Sequence, residues 1–152
     1  MHTLLLLALL TLGTTIAEAG GLPDLLKPKA SGPQFLPVNE AFEIQPLEIH
    51  DGKLDVRWRI AKGYYLYRQR LAFEVLFPKG DQVGKPKLPK GEAHKDEYFG
   101  EMEIYRGGDF LTAELPLKGA PPKMIKLKVG YQGCADAGLC YPPQERVLEL
   151  TP

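Results

Sequence analysis

The octapeptide KLDVRWRI, Lys53 to Ile60, constrains the fold more than any other part of this chain. On an extended backbone Leu54, Val56, Trp58 and Ile60 share one face, and Asp55, Arg57 and Arg59 share the other. A helix would scatter the same residues around its circumference, so the segment predicts a half-buried strand. LAFEVLF repeats the pattern through Leu71, Phe73, Val75 and Phe77. IKLKVGY does so through Ile125, Leu127, Val129 and Tyr131, against Lys126 and Lys128. FLTAEL and RVLEL are further short candidates. Turn signals separate these runs at Asp51-Gly52, Lys62-Gly63, Lys79-Gly80, Gly107-Gly108 and Gly119-Ala120-Pro121-Pro122. No segment of ten residues carries a convincing 3.6-residue period.

Several antiparallel strands, each with one polar face, predict an all-β chain of two packed sheets. An immunoglobulin-like β-sandwich is the leading expectation and a closed β-barrel the second. The longest stretch without strand character runs from Pro78 to Gly100, and loops of that length tend to be functional or mobile.

The chain opens with an apolar run, LLLLALLTLGTTIA, from Leu4 to Ala17, shorter than the roughly 18 residues a spanning helix needs. Ala17 and Ala19 then fit the small-x-small spacing of signal-peptide cleavage. Residues 1–19 therefore read as a removable secretory signal, with a retained anchor as the alternative because the run has no Lys or Arg before it. Cleavage would remove Glu18 alone among the charged residues, leaving 19 basic and 18 acidic side chains. A near-neutral exported domain has no electrostatic footprint for nucleic acid or anionic lipid, and the mature part holds no second run fit for membrane insertion. Pro23, Pro28, Pro33 and Pro37 deny residues 20–34 both helix and central strand, so these residues are expected to form a flexible arm ahead of a domain over 35–152.

Both cysteines, Cys134 and Cys140, lie in VGYQGCADAGLCYPPQE. In a compartment that permits disulfides, a lone pair of Cys reads as a disulfide. The five residues between them match neither a C-x-x-C redox motif nor zinc spacing. Zinc would need two more ligands, and His50 and His94 are the only histidines after the signal. Chain entropy makes this a poor staple: closing about seven residues is worth roughly 2.4 kcal/mol, against about 4.7 for a 100-residue loop. Gly133, Gly138 and the small insert ADAGL leave the sulfurs accessible, while Pro142 and Pro143 stiffen the exit. Such surroundings suit in-line attack by a partner thiolate. On these features alone, staple and reagent stay equally open.

VGYQGCADAGLCYPPQ closely resembles the signature of the N-terminal periplasmic domain of DsbD, the thiol:disulfide interchange family of Gram-negative bacteria. GYYLYRQRL, Gly63 to Leu71, and HKDEYFGEMEIYRG, His94 to Gly107, resemble further family segments in the same order. The resemblance covers about Phe35 to Leu150. It implies an immunoglobulin-like sandwich whose hairpin or loop carries a redox pair, Cys134 and Cys140. It also implies a relay: a thioredoxin-like domain of DsbD type donates electrons, and periplasmic thioredoxin-fold proteins accept them. The acceptors would be a disulfide isomerase and a thioredoxin-like protein of cytochrome c maturation. Cys140 would match the cysteine that forms the mixed disulfide and Cys134 the one that resolves it, with no metal or organic cofactor.

In that family a loop after an Asp-Glu pair caps the disulfide with an aromatic ring. Here the cap would be Asp96, Glu97, Tyr98, Phe99 and Gly100, with the acids disfavouring thiolate if they sit beside the sulfurs. Family members carry Phe then Tyr after Asp-Glu, whereas this chain has Tyr98 then Phe99, so the shielding ring is undecided. Tyr65 and Tyr67 resemble family tyrosines near the cysteines, although either could instead be a core aromatic. Two other function classes compete. One is a non-catalytic exported binding module with a structural disulfide. The other is a copper-binding sandwich using His50, His94, Met102 and Met124.

Overall fold

The structure, a computed structural model, describes Gly32 and residues 34–80 and 82–151. The expected signal over 1–19 and most of the arm over 20–34 lie outside the described residues. The described chain is all-β apart from a four-residue helix, α1 (Val38–Ala41), and a short 3-10 turn at Arg68–Arg70.

Three open sheets carry the fold, so the barrel alternative is not realised. In the first, β3 (Lys53–Ile60) is central. It pairs on one edge with β1 (Phe42–Ile44) and β2 (Glu48–His50), and on the other with β8 (Phe110–Pro116). β2 and β3 are joined by Asp51 and Gly52 at φ 47° and 70°, the left-handed pair that a two-residue hairpin needs. In the second sheet β9 (Ile125–Tyr131) runs between β5 (Ala72–Phe77) and β11 (Gln144–Leu150). The third is ordered β10-β4-β7-β6, from Gly133–Ala135, Tyr64–Tyr67, Gly100–Arg106 and Glu92–Asp96.

The expected alternation fills the core. Leu54, Val56, Trp58 and Ile60 are buried with Ile125, Leu127, Val129 and Tyr131, joined by Leu111, Ala113 and Leu115 of β8. The Trp58 ring meets those of Phe73 and Tyr131 edge-on at 6.1 and 6.3 Å. Two expectations need correction. Phe77 was expected on the buried face of β5, but the register shifts between Val75 and Phe77 and leaves the Phe77 ring 46% exposed. The stretch from Pro78 to Gly100 is not irregular throughout, because its last part is β6, an edge strand paired with β7 from Glu92↔Ile104 to Asp96↔Gly100. Its sequence EAHKD has no apolar face to betray it.

Candidate redox site

In the third sheet β4 and β10 are buried on both faces. Tyr64, Leu66 and Ala135 point into the main core, while Tyr65, Tyr67, Ile104 and Cys134 form a separate cluster. Period-two alternation along β4 sends Tyr65 and Tyr67 together to that second face. Neither is a tyrosine of the main core.

The cysteines face each other across a hairpin. The Gly138 amide donates to Ala135 O at 2.9 Å, the Ala135 amide to Leu139 O at 2.7 Å, and the Tyr141 amide to Gly133 O at 3.0 Å. This pattern makes Cys134 and Cys140 a non-hydrogen-bonded pair, the position where opposed side chains come closest. Their Cα atoms are 4.0 Å apart and the sulfurs are bonded. Gly138, at φ 98°, supplies the left-handed residue that closes the turn. On its other side Cys134 pairs with Tyr65 of β4. That contact requires Gly133, since a Cβ there would lie 2.3 Å from Tyr65 O and 2.6 Å from the Phe42 ring.

The tip of the β6–β7 hairpin covers this face. Asp96, itself buried, accepts hydrogen bonds through Oδ1 from the amides of Tyr98 at 2.7 Å and Phe99 at 2.9 Å. Its Oδ2 accepts a short bond from the Tyr67 hydroxyl, and the same hydroxyl oxygen stands 3.2 Å from Cys134 Sγ. Phe99 packs on the cluster with Met102 and Cys140, edge-on to Tyr67 at 5.3 Å. The Arg70 guanidinium lies over the outer face of the Phe99 ring, 4.4 Å from its centroid. Tyr98 is 76% exposed, at the rim of the cleft beside Cys140. Phe99 is therefore the ring over the sulfurs' cluster. Gly100, at φ 73°, turns the chain into β7.

Burial pushes the Asp96 carboxyl upward, but the bonds from Tyr67, Phe99 and Tyr98, aided by the nearby His94, hold it below its ordinary value. Burial, then the bond to Asp96, raises the Tyr67 phenol far above its ordinary value. The proton between them thus belongs to Tyr67. Asp96 reaches the sulfur through this phenol, and Glu97 is an exposed residue at the rim.

Cys134 is fully buried, whereas Cys140 is half-buried. Cys140 opens on a cleft of about 410 Å³ lined also by Tyr65, His94, Glu97, Tyr98 and Asp136. Arg106, paired with Tyr65 across β4 and β7, bonds Asp136 at 2.5 Å and Glu92 at 3.2 Å, its guanidinium 5.6 Å from the Tyr65 ring centre. His94 also packs on Tyr65, ring centroids 5.2 Å apart, while His50 bonds Asp55 of β3. Among the described residues no three His, Cys, Asp or Glu side chains gather as a metal site. Arg70, Ile104 and Arg106 fall within the two family-like segments without having been singled out as site residues, and Met102 was named only for the copper alternative. Their place at this site depends on which strands pair.

Residues 32–152 match the family described as thiol:disulfide interchange protein DsbD, N-terminal. A thiol:disulfide interchange protein DsbD 2 of Pseudomonas aeruginosa is 47% identical over 148 residues, 97% of this chain and 23% of that protein. The DsbD of Cronobacter sakazakii is 42% identical over 118 residues, 78% of this chain and 19% of that protein. The chain thus spans about a quarter or less of the length of these relatives. The crystal structure of the reduced Neisseria meningitidis DsbD N-terminal domain superposes with TM-score 0.68 at 34% identity, covering 77% of this chain and 90% of that one. The same domain in complex with the PilB N-terminal domain gives 0.65 at 34% identity, covering 78% and 88%. An immunoglobulin-like sandwich bearing a capped cysteine hairpin, matched over nearly all its described length, places this chain in the family of DsbD N-terminal domains.

Proposed function

We propose that the chain is the periplasmic redox domain of a thiol:disulfide relay, acting as a protein-disulfide reductase through Cys134 and Cys140. It takes electrons from a thioredoxin-like donor domain and passes them to thioredoxin-fold acceptors, with a disulfide isomerase and a cytochrome c maturation protein as the expected ones. The observation that carries this is the unequal placement of the sulfurs. Cys140 opens on a cleft, Cys134 is sealed behind it, and the bond between them pins only its own hairpin. A relative solved with the PilB N-terminal domain supports a protein as partner.

The chemistry is two exchanges. The Cys140 thiolate attacks one sulfur of the acceptor's disulfide, forming a mixed disulfide and releasing the acceptor's other sulfur as thiolate. Cys134, deprotonated, then attacks Cys140 Sγ, restores the Cys134–Cys140 bond and expels the acceptor's second thiolate. Two electrons pass to the acceptor, and its thiolates take up the two protons the cysteines lose. Recharging by the donor is the reverse. The sulfurs themselves carry the electrons, and neither metal nor organic cofactor takes part. The cap bearing Phe99 keeps small oxidants away until a partner displaces it.

Mixed-disulfide trapping with a thioredoxin-fold acceptor tests the assignment. Cys134→Ser should accumulate the covalent complex and Cys140→Ser should form none. Equal trapping by both would overturn the division of roles. Trapping by neither, with a potential below about −300 mV, would return the pair to a staple in a binding module.

A further inference from the structure

Reduction leaves Cys140 with little to hold it. Cys134 lies in β10, paired along its length to β4, whereas the backbone of Leu139–Tyr141 pairs with β10 alone, so its side chains must supply the remaining hold. During the proposed exchange Cys140 is bonded to a partner and no covalent link keeps it opposite Cys134. Whatever holds the outer arm of the hairpin then sets how fast Cys134 can resolve the intermediate.

We propose that Tyr141 is the positioning residue for Cys140, and that the segment around Leu36 serves as its anchor. The inference rests on the exchange function proposed above. Alternation turns the Cys140 side chain to the site and Leu139 and Tyr141 to the main core. Every polar group of Tyr141 is engaged. Its amide donates to Gly133 O at 3.0 Å, and its carbonyl accepts from the buried Gln132 side chain at 3.1 Å. Its hydroxyl donates to Leu36 O at 2.5 Å. The ring stands edge-on to Phe42 at 5.6 Å and tilted against Tyr64 at 6.3 Å. The Leu36 amide in turn donates to the Tyr64 hydroxyl at 2.8 Å. Two tyrosines thus grip both polar groups of one backbone unit, as a neighbouring strand would. Tyr64 belongs to β4, the strand that also holds Cys134, so the clip ties both cysteines to one support.

A sulfur held opposite its partner has a higher effective concentration, which favours the disulfide and speeds its closure. Loosening Tyr141 should therefore make the disulfide easier to reduce and prolong the mixed disulfide. The test uses glutathione as the probe on the intact protein, with alkylation and mass readout of both the equilibrium and the lifetime of the glutathione adduct. Tyr141→Leu should shift the equilibrium about three- to tenfold toward the dithiol, about 14 to 30 mV, and lengthen the adduct's life by a similar factor. Tyr141→Phe keeps the ring and loses only the tie to Leu36, and should shift the equilibrium about twofold in the same direction, about 9 mV. Tyr105→Phe loses a comparable bond, to Pro89 O at 2.8 Å, and should shift neither readout. The proposal is overturned if both Tyr141 variants match the parent, or if Tyr105→Phe moves as far as they do. Should Tyr141→Leu fail to fold, Tyr141→Phe decides. Glutathione needs no thioredoxin-fold partner, so failure of the relay in the trapping experiment would leave this result distinguishable.

Discussion

The Tyr67 hydroxyl lies 3.2 Å from Cys134 Sγ while giving its proton to Asp96. With that proton committed, the phenol oxygen can only accept from a reduced Cys134 thiol, which favours thiol over thiolate. In the exchange proposed above, this would make the buried sulfur the poorer nucleophile and leave the sulfur at the cleft to open the reaction.

Tyr67→Phe removes the hydroxyl and leaves Asp96 Oδ2 buried without its donor. A buried acceptor without its partner costs about 1–3 kcal/mol. Urea unfolding of the oxidised protein should show a loss in that range. A loss no larger than that of an exposed Tyr98→Phe would contradict the assigned bond.

Asp96 gives the cap a pH dependence. Its folded carboxyl lies below its ordinary value despite burial, because of the bonds from Tyr67, Phe99 and Tyr98. Its contribution to stability is complete above the unfolded carboxylate value of about 3.9 and fades as the pH falls through the lower folded one. Below that point the cap should loosen. The disulfide should then react faster with a phosphine, which stays nucleophilic in acid, and Asp96→Asn should show raised reactivity already at neutral pH and a flatter acid limb. Parallel pH profiles for the two proteins would count against the role.

The two cap rings should behave differently. Phe99→Ala uncovers the cluster and breaks the contact with Arg70, so reduction by dithiothreitol should quicken by about tenfold, the equivalent of roughly 1.4 kcal/mol. Tyr98→Ala should change the rate by less than about twofold, roughly 0.4 kcal/mol. Stopped-flow reduction measures both, and the reverse ranking would mean that Tyr98 is the shield.

Gly133 has no room for a methyl group, with Tyr65 O and the Phe42 ring both in the way. Gly133→Ala must push β10 from β4, and should cost about 1–3 kcal/mol, as overpacked core sites do. Thermal unfolding would register it. A near-parental midpoint would show that β10 can shift without loss.

The site was legible only in part. The cysteine motif and its resemblance picked out Cys134, Cys140, Tyr65, Tyr67 and the cap at Asp96–Gly100; the structure brings Cys134, Cys140, Tyr65, Tyr67, Asp96 and Phe99 together, with Glu97 and Tyr98 exposed at the rim. Alternation picked out β3, β5, β8, β9 and β11, yet the sheet that carries the site escaped it. β4 reads YYLY and is buried throughout, because one face meets the main core and the other meets the cap. A strand covered on both sides loses the polar beat that reveals the rest. β6 is polar along its length for the opposite reason, being an edge.

By itself the sequence determined what local chemistry can dictate: an all-β chain, its turns, most of its core strands, and a short cysteine loop with small neighbours. The tertiary structure alone decided which sulfur is buried, that Phe99 rather than Tyr98 packs on the cluster around Cys134, and that Arg70, Arg106 and Tyr141 belong to the site. Each of those depends on pairings between strands far apart in the chain, such as Cys134 with Tyr65 and Tyr65 with Arg106. Period and propensity act over a few residues and say which strands can form. Which strands become neighbours is settled by how the covered faces fit together, and no single segment carries that information.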